Sequence, residues 1–417
     1  MNATIDSFSD EDKRAGNSFK KDSAAHSPIA VVAETMPEVR AGARERGRLL
    51  TLDVIKGGAA QMICWHHFCV FGPMSDAAWD FAPFLFKWLA NHGRISVQCF
   101  LVMAGFMAAA ALLPGGSKAW IAPRFSQLPK IVFGRYKRLA KVYFIGLLAA
   151  LVCAAVARAL MEEPSTPAAP SISDVIAHLF FAQDLLGVPA LTAGAWYVAI
   201  DLQLYALLAL LCAFAASISS FVRGGRLVKF VALALVVALA MCSLFVFNRH
   251  SELEIWGIYF FGSYGLGIAA YWVSRCAGRR KALWALVMLL VGATALIVQW
   301  RSRIAVSTVT ALVLVLFGTW RSQSNGWTVR LVSYLSRISF PLFVLHYPVF
   351  MLVGAVVTAN WGDDPVANLM GLLVAWAVSM AAATVVSTLL DPVKKPAAEK
   401  GVGEFSHWPH TTGLAQV

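Results

Sequence analysis

Long apolar runs recur along this chain and constrain its fold more than any other feature. An α-helix needs about 20 apolar residues to cross the hydrocarbon core of a bilayer. Ten stretches approach that length, at residues 51–72, 95–113, 139–160, 193–218, 226–247, 254–273, 282–300, 303–320, 338–359 and 366–390. With 59% hydrophobic and 14% charged residues, the chain exceeds the apolar content that a soluble core needs. The sequence therefore predicts an all-α, polytopic membrane protein with about ten transmembrane helices.

The charged residues between these runs predict how the helices are oriented. Lys and Arg gather on alternate connections, such as 124–138 and 275–281, as the positive-inside rule expects of cytoplasmic loops. Asp and Glu lie on the opposite connections, with Arg301 and Arg303 as the main exception. We therefore expect a multi-pass membrane protein with both termini cytoplasmic. The net charge of +12 has the same origin, so we expect no nucleic-acid partner.

The remaining segments divide the chain into one membrane domain and two tails. Residues 1–46 are polar and lack the apolar core of a signal peptide, which predicts a disordered cytoplasmic N-terminal tail. The membrane domain is predicted over 47–392, and 393–417 form a cytoplasmic C-terminal tail. A weaker apolar patch at 174–188 carries several polar residues and favours a short interfacial or re-entrant helix. The seven cysteines have no CxxC spacing, and we expect no metal site.

A few ionisable side chains lie inside the apolar runs, and their cost in lipid makes them functional candidates. Lys56 and His67 are eleven residues apart, which places both within about 20° on one helix face. Asp201 stands alone in the fourth run, with Tyr205 four residues later on the same face. If the two helices are neighbours, Asp201 could orient and charge His67 as a general base. The alternatives are a Lys56 side chain that snorkels to the interface and a polar pair that only joins helices.

Two further positions have both a functional and a structural interpretation. Arg135 and Arg138 lie three residues apart on one helix face, where two guanidinium groups could bind phosphate or simply anchor the helix at the interface. His346 is a second histidine within a span, but the neighbouring Pro348 makes a bent, packed helix a sufficient explanation.

Five segments, in this order, resemble acyltransferase family 3, bacterial membrane proteins that O-acylate glycans. LDVIKGGAAQMICWHH resembles the opening motif LDGLRG with a histidine after ten intervening residues, and ISVQCFLVMAGF resembles the motif ending in SGF. GRYKR matches the RxxR pair, AWYVAIDLQLYALL resembles WSLSVEEQFY, and SYLSRISFPLFVLHYPVF resembles a motif containing LLH-x-P. The resemblance covers about residues 48–390. The departures are Lys56 for arginine, Ala104 for serine and Asp201 for glutamate.

The resemblance implies an O-acyltransferase of a bacterial inner membrane. It would transfer an acyl group from acyl-CoA to a hydroxyl of a cell-surface glycan or glycolipid, and acetyl is the expected acyl group. It implies a catalytic pair of His67 and Asp201, donor-binding residues and supporting residues. The donor-binding residues are Lys56, Arg135 and Arg138, and the supporting ones are Asp53, Trp196, Tyr205 and His346. His67 could act as a base or as a transient acyl carrier.

Two other classes of function remain open at this point. The same Lys, His and Asp side chains suit a proton-coupled transporter or flippase of a polar or lipid-linked solute. A structural or sensory subunit would tolerate their neutral substitution. We expect acyl-CoA as a substrate and no bound cofactor, and the sequence makes no prediction of the oligomeric state.

Overall fold

The computed structural model describes residues 48–114, 122–163, 166–218, 225–322 and 326–390 of the protein. The two predicted tails, 1–46 and 393–417, lie outside these ranges. Within the ranges the chain is helical, apart from two antiparallel two-residue strands, β1 (Arg48–Leu49) and β2 (Arg321–Ser322). The predicted all-α class is confirmed.

The described part of the chain contains long helices joined by short ones. They are α1 (Leu50–Val70), α2 (Pro73–Ala77), α3 (Pro83–His92), α4 (Val97–Leu112), α5 (Leu128–Leu160), α6 (Ile172–Leu179), α7 (Ala195–Ile218), α8 (Gly225–Phe245), α9 (Gly257–Ser274), α10 (Gly278–Val298), α11 (Ser302–Phe317), α12 (Trp327–Trp361) and α13 (Pro365–Leu390). Each of the ten predicted apolar runs overlaps one of the longer helices.

Within the described ranges, seven segments are long and apolar enough to cross a membrane. They are Pro83–Leu112, Phe125–Leu160, Ala195–Ile218, Leu227–Arg249, Gly278–Val298, Trp327–Trp361 and Pro365–Leu390. The protein is therefore a multi-pass membrane protein. The other three predicted spans correspond to α1, α9 and α11; α1 contains Asp53, Lys56 and two histidines, and α11 is only 16 residues long. The total of ten spans stays a prediction.

The helix α12 is the element around which the candidate site is built, because it packs against α1, α5 and α13. Glycines on two of these neighbours permit close approach. A Cβ atom at Gly57 of α1 would lie 2.8 Å from the Cβ of Leu335, and one at Gly146 of α5 would lie 2.9 Å from the Cβ of Val344. Helices in lipid associate through such small residues, since hydrocarbon tails are as apolar as the side chains. The middle of α12 is consequently held between α1 and α5.

A second close crossing joins α4 and α9. A Cβ atom at Gly105 would collide with the backbone oxygen of Tyr264, and one at Gly267 would collide with that of Val102. The two backbones therefore touch at positions where any larger residue would push them apart. This contact gives a packing reason for the glycine in the segment that resembles the SGF motif.

The weak apolar patch forms a short helix, as the sequence indicates, and not one of the seven span candidates. Ser171 begins α6 with a capping box, in which its hydroxyl accepts from the backbone N–H of Asp174 at 3.2 Å and its own N–H donates to that carboxylate at 2.8 Å. The chain then packs the ring of Phe181 against Tyr136 of α5, with ring centroids 5.1 Å apart. It reaches α12 at Gly194, where a Cβ atom would contact the ring of Phe343.

The histidine of this segment is a structural residue. His178 is fully buried, its Nδ1 donates to the backbone oxygen of Asp174 at 2.8 Å, and its Nε2 accepts from the backbone N–H of Leu191 at 3.1 Å. Burial lowers the pKa of His178 below its ordinary value, which keeps the ring neutral. Both nitrogens are used to fix the loop after α6.

The two arginines that break the charge alternation are held by local partners. Arg303 contacts Glu254 at 3.2 Å and also donates to the hydroxyl of Tyr259. Arg301 donates to the backbone oxygen of Arg249 at 3.4 Å. These contacts account for the exception without changing the predicted orientation.

Candidate active site

Two histidines that are 279 residues apart in sequence meet between α1 and α12. Nδ1 of His67 lies 2.7 Å from Nε2 of His346, the ring planes differ by 7°, and the ring centroids are 5.0 Å apart. So short a nitrogen contact between centroids this far apart requires the rings to lie edge to edge. The contact is therefore a hydrogen bond that lies close to the plane of both rings.

The two rings differ in how far they are enclosed. His346 is 1% exposed and lies inside α12 between Pro341 and Pro348. Its Nδ1 lies 2.9 Å from the backbone oxygen of Leu342, one turn earlier on the same helix. His67 is only partly buried, with Phe71 against its ring at 5.5 Å. The pair thus combines an inner ring that is almost fully enclosed with an outer ring that is partly buried.

The neighbouring histidine of α1 belongs to a different contact. His66 is buried, and its Nδ1 donates to the backbone oxygen of Leu89 in α3 at 3.0 Å. This direction agrees with the 100° that separates adjacent residues on a helix. His66 therefore attaches α3 to α1 and takes no part in the hydrogen bond between His67 and His346.

A buried ion pair between α5 and α7 forms the second polar centre. Asp201 is 2% exposed, and both of its carboxylate oxygens are bound by Arg135. Nε of Arg135 lies 2.9 Å from Oδ2 of Asp201, and Nη2 lies 2.7 Å from Oδ1 and 2.6 Å from Oδ2. The guanidinium also lies over the ring of Tyr205, 5.3 Å from its centroid. This arrangement compensates both charges within the helix interface.

The expected contact between Asp201 and His67 is wrong. The hydrogen bonds of Asp201 go to Arg135, and His67 bonds to His346 instead. The physical reason is that a carboxylate in a low-dielectric interior gains most from a bidentate guanidinium, which a neutral imidazole cannot match. Asp201 therefore does not orient His67, and the catalytic role predicted for it through that contact is not supported. Asp201 also balances the charge of Arg135, whose role as a donor-binding residue stays a prediction.

Aromatic rings connect the two centres. Tyr197, one turn before Asp201 on α7, lies 5.3 Å from Phe343 of α12, measured between ring centroids. Phe343 in turn lies 6.4 Å from the ring of His346. The histidine pair and the ion pair therefore belong to one continuous layer of packed side chains, although they share no hydrogen bond.

The other predicted residues take up positions around these centres. Oδ1 of Asp53 accepts from the hydroxyl of Ser336 at 2.6 Å, which joins α1, the helix of His67, to α12, the helix of His346. Lys56 is half-buried on α1, and Arg138 is exposed on α5. Trp196 packs against the ring of Phe260 on α9 at 5.7 Å. None of these four contributes a hydrogen bond to His67 in the described part of the chain.

Sequence reasoning missed the partners that complete these contacts. Ser336, Leu342 and Phe343 are ordinary residues of an apolar run, and no spacing rule marks them. The sequence places His346 only among the supporting residues, although it is the residue that contacts His67. The signal available is that three histidines, His66, His67 and His346, occur inside predicted spans, each in a segment of the family resemblance.

Comparison with known proteins agrees with this architecture. The family model described as an acyltransferase domain matches residues 49–391, which includes every helix from α1 to α13. No curated protein and no solved structure matches the chain.

Proposed function

This chain belongs to the acyltransferase family, and from that premise we propose that it transfers an acyl group from acyl-CoA to a hydroxyl of a cell-surface glycan or glycolipid. The expected acyl group is acetyl. The single observation that supports this reaction is the histidine pair, in which the outer ring of His67 keeps one nitrogen for chemistry while the other is hydrogen-bonded to His346. Proton removal from a sugar hydroxyl needs such a base.

The reaction requires one proton to move twice. Nε2 of His67 takes the hydroxyl proton as the sugar oxygen attacks the thioester carbonyl, and the resulting tetrahedral intermediate expels the CoA sulfur as its C–S bond breaks. The imidazolium returns the proton to that sulfur, so the products are the sugar ester and free CoA thiol. General bases of this kind contribute about 10²–10⁴-fold to rate. If His67 instead carried the acyl group, an acyl-imidazole would accumulate in the absence of acceptor.

The donor is held by cations near the N-terminal ends of α1 and α5. Lys56 and Arg138 supply positive charge for the CoA phosphates, and a guanidinium is a side chain that can bind phosphate in a bidentate manner. The contacts with Asp201 use Nε and Nη2 of Arg135, so its Nη1 can also bind a phosphate oxygen. These ends are cytoplasmic in the predicted orientation, where acyl-CoA is available, and we expect the enzyme in the bacterial inner membrane. Surrounding helices exclude water from the thioester.

Mass spectrometry of surface glycans tests the proposal in cells. Strains that lack the protein, express it, or express His67→Ala are compared for acetyl-sized masses that disappear on mild base treatment. We expect the alkali-labile group only with the unaltered protein. Equal ester content in all three strains, at matched expression, would contradict the proposed function and favour a transporter, which relocates a glycan without changing its esters.

A matched control separates the loss of the proposed catalytic histidine from the loss of a histidine elsewhere in the protein. His92 is exposed at the end of α3, where its Nδ1 bonds the backbone oxygen of Trp88 at 3.0 Å. His92→Ala removes an imidazole from a different helix without touching the histidine pair. Its ester content should equal that of the unaltered strain, and a loss equal to that of His67→Ala would mean that the assay reports on folding.

A further inference from the structure

We propose that His346 is a positioning residue that holds His67 in the tautomer with an unprotonated Nε2. This inference rests on the proposed function for its catalytic consequence, but the tautomer itself is a property of the protein without substrate. The tautomer follows from the hydrogen bonds that link the backbone oxygen of Leu342 to His346 and His346 to His67.

The first step is the hydrogen bond inside α12. The backbone oxygen of Leu342 can only accept, and it lies 2.9 Å from Nδ1 of His346. Nδ1 of His346 therefore carries the proton. A neutral imidazole has one N–H, so Nε2 of His346 presents a lone pair. The helix backbone thus selects the tautomer of His346, because a helix cannot turn its own carbonyl into a donor.

The second step is the contact between the rings. Nδ1 of His67 lies 2.7 Å from the lone pair of His346, with both rings close to one plane. Two lone pairs at this separation would repel, so Nδ1 of His67 must donate. Its single proton is then on Nδ1, and Nε2 is unprotonated. The ring nitrogen that faces away from His346 is consequently the basic one.

The third step concerns how firmly His346 is held. It is 1% exposed, its ring lies 6.3 Å from that of Phe68, and Phe68 stacks on Phe350 at 4.8 Å. Rotation of the His346 ring would break the bond to Leu342 inside an apolar enclosure, where an unsatisfied polar group is costly. The orientation of His67 is therefore imposed by a buried neutral ring and not by a carboxylate.

The arrangement also stabilises the His67 imidazolium that forms during the reaction. When Nε2 of His67 takes the hydroxyl proton, its Nδ1–H bond points at the lone pair of His346. This hydrogen bond stabilises the imidazolium of His67, a role that Asp201, which is bound by Arg135, does not serve.

Two substitutions of His346 test the proposal. His346→Gln places an amide oxygen near the position of Nε2, which can still accept from Nδ1 of His67. His346→Met has a comparable apolar bulk and no such acceptor. We expect His346→Met to lower kcat on the order of 10–100-fold with the KM for acyl-CoA unchanged, and His346→Gln to remain within about 3-fold of the unaltered enzyme.

Nitrogen NMR of isotope-labelled histidine supplies a readout that activity cannot. In the unliganded protein, with His67→Ala used to assign its signal, we expect Nδ1 of His67 protonated and Nε2 unprotonated. His346→Met should convert His67 to a mixture of tautomers, whereas His346→Gln should not. A protonated Nε2 in the unaltered protein would overturn the inference even if the enzyme is active.

The failures of the two proposals are distinguishable. If His67→Ala keeps full acyl transfer, the proposed role of His67 fails whatever its tautomer. If His67→Ala is inactive but His346→Met retains full kcat, only the positioning role is wrong. If His346→Met does not fold, the tautomer of the unaltered protein and the kcat of His346→Gln still decide the question.

Discussion

The histidine pair and the ion pair of this protein are both polar contacts buried between membrane helices, yet they leave different chemistry available. The Arg135–Asp201 pair uses both carboxylate oxygens and two guanidinium nitrogens on each other. The His67–His346 pair uses one nitrogen of His67 and leaves the other. A buried ionisable residue therefore indicates importance, but only its partner reveals whether it stabilises a fold or performs a reaction.

Removal of one member of the ion pair should produce the largest loss of stability. Asp201→Ala leaves the Arg135 guanidinium in the helix interface without its counter-ion, which costs about 3–5 kcal/mol in buried pairs. The free energy of unfolding in mixed micelles measures this. Asp80→Ala, at an exposed position in the connection after α1, is the control and should change little. Unchanged stability of Asp201→Ala together with lost activity would instead return Asp201 to a catalytic role.

The double variant Arg135→Met/Asp201→Leu sharpens the same comparison. Apolar replacement of both members of a buried pair is often neutral or stabilising, so we expect most of the stability lost in Asp201→Ala to return. Activity of this variant then separates two roles. Restored stability with a raised KM for acyl-CoA would support donor binding by Arg135. Restored stability with full activity would make the pair purely structural.

The contact between Asp53 and Ser336 tests whether the α1–α12 interface holds the histidines in place. Ser336→Ala removes a hydroxyl that donates to a carboxylate at 2.6 Å, and such bonds contribute about 1.5–3 kcal/mol. We expect a loss near the lower limit, since Asp53 is only half-buried. Ser339→Ala, which removes a hydroxyl bonded within α12 itself, is the matched control. An equal loss of stability in both variants would show that the contact between helices contributes no more than a hydrogen bond within α12.

The ion pair between Arg303 and Glu254 should give the smallest effect. Its side chains are 22% and 49% exposed, in contrast to 2% for Asp201. Exposed pairs contribute about 0.2–1 kcal/mol, so Glu254→Gln should barely change the free energy of unfolding. A loss above about 2 kcal/mol would break the distinction between enclosed and exposed pairs on which the comparison depends.

The sequence predicted the elements well and their neighbours poorly. Hydropathy located the ten long helices, and composition identified α6 as a short helix between spans. Spacing along α1 placed Lys56 and His67 on one continuous helix. The predicted contact of His67 with Asp201 assumes that their two helices are neighbours. Hydropathy does not determine which helices touch, and the packing of α12 between α1 and α5 is set by contacts between residues far apart in the sequence.

The contacts of His346 and Arg135 could not be predicted from the sequence, and the reason is physical. His346 is hidden among apolar residues because its polarity is satisfied by Leu342 on its own helix and by one distant ring. Arg135 looked like an interface anchor because its partner lies 66 residues later on another helix. A polar group with a distant partner has no local sequence signature, so only the three-dimensional arrangement can assign it.

The most direct test of His67 as the base is the release of CoA thiol by purified protein in lipid nanodiscs, supplied with acetyl-CoA and an acceptor glycan. We expect acceptor-dependent release from the unaltered protein and from His92→Ala, and a loss on the order of 10²–10⁴-fold in His67→Ala. Undiminished acceptor-dependent release from a folded His67→Ala protein would contradict the assignment of the reaction to this histidine.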